Sequence, residues 1–121
     1  MNIEEILKPE TELEEKILSA PELIEGLLWG EPRRGHPEGK VIYHVRDVLK
    51  NVEKYNGGWK NRQDLRIIAL VHDSFKYQVD NLKPKINEND HAVIARRFTE
   101  KYLSDENTLQ IIEMHDEAIE L

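Results

Sequence analysis

In "VIYHVRDVLKNVEKY", residues 41 to 55, the apolar side chains fall at 41, 45, 48, 49 and 52. Steps of three and four place them on one face of an α-helix, so the spacing predicts a helix from Val41 to about Tyr55, ended by "NGG" at 56 to 58. The rhythm recurs. Leu65, Ile68, Ala69 and Val71 belong to a helix beginning near Asn61, with Asn61 and Asp64 resembling a capping pair. Ile94, Ala95 and Phe98 predict a helix from about Glu88 to Leu103, and a last helix runs from about Asp105 to the end. Upstream, "IEEILKPETELEEKILSAPELIEGLLWG" reads as two or three short helices. Leu13, Ile17, Leu23, Ile24, Leu27 and Leu28 supply their inward faces, Pro9 and Pro21 suit first-turn positions, and Gly30 closes the segment. "EPRRGHPEGK" is then a loop, and no stretch alternates as a half-buried strand does. The expected fold is all-α, with five to seven helices.

A chain of 121 residues is expected to form one domain, residues 1–121, with a core of its own. Cysteine is absent, which excludes disulfides and thiolate metal sites and leaves His, Asp and Glu as the available ligands. Asp and Glu outnumber Lys and Arg, 24 to 17, and the net charge of -7 repels polyanions; bulk nucleic-acid binding is not expected. A small phosphorylated ligand in a locally basic or metal-lined pocket is compatible with that charge. No apolar run is long enough to span a membrane, and "MNIEEILKPE" has neither the basic start nor the apolar stretch of a signal peptide. The expected location is cytoplasmic, and the sequence does not resolve an oligomeric state.

Four of the five histidines share a face with apolar residues of four different helices. His44 is grouped with Val41 and Val48, His72 with Ile68 and Ala69, His91 with Ile94, Ala95 and Phe98, and His115 with Ile111, Ile112, Ala118 and Ile119. A single inward histidine is ordinarily structural and needs one hydrogen-bond partner. Four are costly to desolvate together, whereas a divalent cation uses their lone pairs directly and favours the neutral ring. Asp73 follows His72 at once. Neighbours on a helix point about 100° apart, so the two side chains can share an ion only where the helix ends; otherwise Asp73 reaches sideways to bridge to a second ion.

The ordered set, His44, "HD" at 72 and 73 after "LRIIALV", Lys76, "DHAVIARRF" with His91 and "IIEMHDEA" with His115, resembles the HD superfamily of metal-dependent phosphohydrolases. The resemblance covers roughly residues 36 to 116. It implies an HD-type helical bundle, one or two divalent ions of the Mn, Fe, Co, Ni or Mg kind, and hydrolysis of a phosphomonoester or phosphodiester by a metal-activated water. His44, His72 and Asp73 match the family's first metal site, and His91 and His115 match the additional histidines of its binuclear subset. The loop "HPEGKVIYH" with "LRIIALVHDSFK" is also similar to the HD domain attached to some bacterial tRNA nucleotidyltransferases. The family closes its site with a distal Asp on a later helix. Here Asp116 or Glu117 stands in for it, or the chain is a fragment lacking that C-terminal helix. The family also carries Gly where this chain has Phe75, which is expected to alter the loop and narrow the pocket.

The expected substrate is a small phosphorylated molecule of nucleotide type. Asp73 and Lys76 are the candidate catalytic residues, Lys76 acting as a point charge on the phosphate. Arg33, Arg34 and His36 are candidate substrate-binding residues with Lys76, the arginines as a phosphate clamp. His44, His72, Asp73, His91, His115 and Asp116 are the candidate metal ligands. Arg96 and Arg97 are expected on the outer face of their helix, and Trp29, Trp59 and Tyr43 in packing. The alternatives are a non-catalytic regulatory module that binds a metal or nucleotide, and a helical interaction protein without metal.

Overall fold

A computed structural model describes residues 2–32, 39–54 and 62–114. Its elements are α1 (Ile3–Leu7), α2 (Glu12–Leu18), α3 (Pro21–Leu28), α4 (Val41–Lys54), α5 (Arg62–Val71), α6 (His91–Thr99) and α7 (Glu106–Glu113), with 3-10 turns at Lys76–Gln78 and Asn87–Asn89. All seven helices and the absence of strands among the described residues agree with the all-α reading.

Short polar side chains start several of the helices. Asn2 accepts from the Glu5 amide, Thr11 from the Glu14 amide and Asp90 from the Ala92 amide, while Pro21 opens α3. Pro9 is not in a first turn as expected. Lys8, in the left-handed region at φ 51°, ends α1, and Thr11 delays the start of α2 beyond the proline. The helix expected from Glu88 to Leu103 is shorter, His91 to Thr99. The Asp90 cap starts it late because residues 87–89 form a separate 3-10 turn, held where the Asn89 side chain bonds to Asp80, Lys83 and Pro84.

Helix α5 is the centre of the bundle. Every residue from Leu65 to Val71 is buried, so α4 and α7 can pack against different sides of it. Helices α1 and α3 cover α4, α2 lies on α3, and α6 joins α7. Arg66 is buried within α5 and bonds to Glu14, itself fully buried on α2: Arg66 Nε donates to Glu14 Oε1 at 2.9 Å and Gln63 Nε2 donates to Oε2 at 2.8 Å. Nothing in the glutamate-rich stretch "ELEEK" distinguishes Glu14 from its exposed neighbours except its place one turn before Ile17 and Leu18.

Two further expectations are corrected by these contacts. Arg96 does not stand out from the bundle; it bridges α6 and α7, with Nη2 2.7 and 2.9 Å from the two carboxylate oxygens of Glu106 and Nε 3.3 Å from Glu100. Arg97 is exposed as expected. Trp29 is exposed rather than packed, because α3 ends at Leu28 and the extended backbone at Trp29 carries the side chain off the inward face. Tyr43 does lie against the core; Trp59 and Asn61 lie outside the described residues.

Candidate metal centre

The apolar run of α5 stops at Val71, and the next four residues form a turn. That ending frees His72 and Asp73 from the 100° separation of a regular helix. The His72 amide still bonds to the Ile68 carbonyl at 3.0 Å, so the ring begins from a fixed point. His72 Nδ1 lies 3.1 Å from the Ile68 carbonyl oxygen and 3.0 Å from that of Ala69. A carbonyl only accepts, so Nδ1 is the donor there, and Nε2 is the ring nitrogen turned toward Asp73.

Nε2 of His72 stands 3.1 Å from Asp73 Oδ2, and Nε2 of His44, from the first turn of α4, approaches the same oxygen at 2.9 Å. The ligand atoms of His44, His72 and Asp73 all lie within 4.8 Å of one another. Two imidazoles and a carboxylate form the nitrogen and oxygen donor set suited to a first-row divalent ion. Nε2 of His72 and Nε2 of His44 lie beside one carboxylate oxygen, a grouping of donors that a shared cation would use. The backbone carbonyls behind Nδ1 supply the outer-shell bonds that orient metal-binding histidines. The residues therefore fit the ion.

Burial is graded across the group. The His72 and Asp73 side chains are 9% and 12% exposed, whereas that of His44 is 42% exposed. His44 therefore forms the solvent side of the group rather than lying buried on an inner face as its spacing suggested; it stands in the first turn of its helix, where less of the bundle covers it. The second oxygen of Asp73 faces other cations or donors. Lys76 Nζ is 3.6 Å and His91 Nε2 3.7 Å from Oδ1. Asp73 is thus the meeting point of side chains from α4, the turn after α5, the following 3-10 turn and the start of α6.

Of the candidate residues, the structure brings together His44, His72 and Asp73 and sets Lys76 and His91 beside them. Arg33, Arg34, His36, His115 and Asp116 lie outside the described residues. Phe75, expected to narrow the pocket, is 1% exposed and points into the core, its ring 5.0 Å from that of Phe98. Two supports of the turn were not found from the sequence. Ser74 is fully buried and donates to the Leu70 carbonyl at 2.7 Å, and the Tyr77 hydroxyl donates to the Glu22 carbonyl of α3 at 2.8 Å. The available signal was Gly26, a glycine inside a regular helix, which marks a close backbone approach.

The family model of the HD domain matches residues 41–121, two thirds of the chain and all of the donor set, and the chain belongs to the HD domain family. This family is in general one of metal-dependent phosphohydrolases. Comparison with curated proteins and with solved structures gives no match. No helix among the described residues is long and apolar enough to cross a membrane.

Proposed function

We propose that the protein is a metal-dependent phosphohydrolase that cleaves a phosphomonoester or phosphodiester of a small nucleotide-like molecule. The observation that carries this reading is the orientation of His72. Its Nδ1 is tied to two carbonyls, so that Nε2 faces the Asp73 carboxylate and stands with His44 in one group of potential ligands. His44, His72 and Asp73 would hold the ion, of the Mn, Fe, Co, Ni or Mg kind. When bound, a divalent ion supplies Lewis acidity, lowering the pKa of water toward neutrality and offsetting phosphate charge.

The chain's own residues account for the remaining chemistry. Among the described residues, three potential ligands with one exposed side leave room for water and substrate, as catalytic sites do and closed structural sites do not. Lys76, one third exposed and beside Asp73, offers a positive charge where phosphate negative charge accumulates. His91 flanks the other oxygen of Asp73, and the two would hold a second ion. Arg33, Arg34 and His36 complete the proposal as substrate-binding groups, and His115 and Asp116 as further ligands.

The test is an assay of the purified chain with added Mn, Co, Ni or Mg against nucleoside mono-, di- and triphosphates and cyclic nucleotides. Turnover is expected that chelation abolishes. His72→Ala should lower it by more than the roughly 100-fold that loss of an outer-shell contact costs. Turnover that survives His72→Ala overturns the assignment, and binding of ion and nucleotide without turnover selects the regulatory module instead.

A further inference from the structure

Helix α3 lies wholly before the residues that the family model matches, yet it touches the backbone of the metal centre. A Cβ placed on Gly26 would overlap the Ser74 carbonyl oxygen, stand 2.7 Å from the Ser74 carbonyl carbon and 3.2 Å from Cε1 of Tyr77. The carbonyl of Ser74, the residue directly after the His-Asp doublet, is therefore seated in a notch that only glycine leaves open. One helical turn earlier, the Glu22 carbonyl accepts the Tyr77 hydroxyl at 2.8 Å, fixing the 3-10 turn that carries Lys76 to the same helix. Ser74 is held from its other side by its bond to Leu70. The doublet and Lys76 thus leave α5 through a turn pinned at two points, four residues apart, along α3.

We infer that Gly26 and Tyr77 are positioning residues for the metal centre, with α3 serving as the seat against which His72, Asp73 and Lys76 are set. Neither residue touches the ion or substrate; they act through the turn. The inference rests on the metal reading above, and its physical basis is rigidity. The obstructing partner of a Gly26 side chain is backbone of a fully buried residue, not the mobile tip of a side chain, so an added methyl group moves either the turn or the helix. A shift of the turn changes the placement of Asp73 and His72 relative to His44, which belongs to a different helix, α4.

The experiment measures Mn2+ affinity by calorimetry on the full chain, with thermal unfolding of the metal-free protein alongside. Gly26→Ala is expected to bind Mn2+ roughly 10–100-fold more weakly, the range found for outer-shell changes. Tyr77→Phe, which removes one hydroxyl and adds no volume, is expected to weaken binding by a smaller factor in the same direction, and carries the test if Gly26→Ala does not fold. Val52→Ala, a core truncation farther along α4, is expected to lower the unfolding temperature while keeping the parent affinity. In the metal-free chain, the imidazole nitrogen resonances of His72 should move in Gly26→Ala and stay in Val52→Ala. Parent-like affinity in both Gly26→Ala and Tyr77→Phe, with unmoved His72 resonances, overturns the inference and leaves the metal reading intact. A parent chain that takes up no Mn2+ overturns the metal reading, and the His72 resonances then decide separately whether α3 sets the turn.

Discussion

Asp73 Oδ2 receives two imidazoles while Oδ1 faces Lys76 and His91 at longer range, so a single carboxylate separates a compact donor set from a looser one. Glu14 is its structural counterpart, a fully buried carboxylate whose oxygens meet Arg66 and Gln63. Replacing it removes the nearer carboxylate facing buried Arg66 and leaves the part-exposed Glu10 at 3.4 Å. Glu14→Ala is accordingly expected to cost about 3 kcal/mol in urea unfolding, against less than half of that for the exposed neighbour Glu15. The two carboxylates were unequally legible. His44, His72 and Asp73 could be read because ionisable groups interrupted apolar spacing, which is a pattern along one chain. Glu14 could not, since its burial is decided by Arg66, 52 residues away, and helical period does not encode which cation arrives there. Phe75 shows the same limit in reverse: its position after the doublet was read as part of the site, and packing against Phe98 takes it into the core.

Among the helices, existence was easier to read than extent. Among the described residues, the apolar steps of α4 and α5 agree with their helices, because each is long enough for its inward face to repeat, while the expected stop at 55–58 lies outside the described residues. The start of α6 was misplaced because residues 87–89 share the helical composition but bond locally, and the Asn89 side chain holds the connection before it. Helices α6 and α7 are then locked by Arg96, whose ionised form the Glu106 carboxylate stabilises further through paired hydrogen bonds. Glu106 remains well exposed, so water screens the interaction. Arg96→Ala is expected to lower stability by about 1 kcal/mol, and thermal melts should show the loss shrinking as salt is added.

At the scale of the molecule, charged contacts join the first helices to α5. Arg62 Nε donates to Glu10 Oε1 at 2.8 Å, and that bond, ahead of the field of Arg66, holds the Glu10 carboxyl below its ordinary value of 4.5. A carboxylate whose folded value is depressed adds stability above the unfolded value and loses it as pH falls through the folded one. Urea unfolding between about pH 6 and pH 3 should therefore show stability declining below pH 4.5, with a smaller decline in Glu10→Gln. The notch on Gly26 has a consequence for where such a protein is divided. A fragment cut at residue 41, where the family match begins, would keep His44, His72, Asp73 and His91. It would discard Leu23 and Leu27, both fully buried, together with the surface on which Ser74 rests. Boundaries drawn by sequence kinship therefore enclose every described candidate ligand while leaving outside a wall that those side chains are built against.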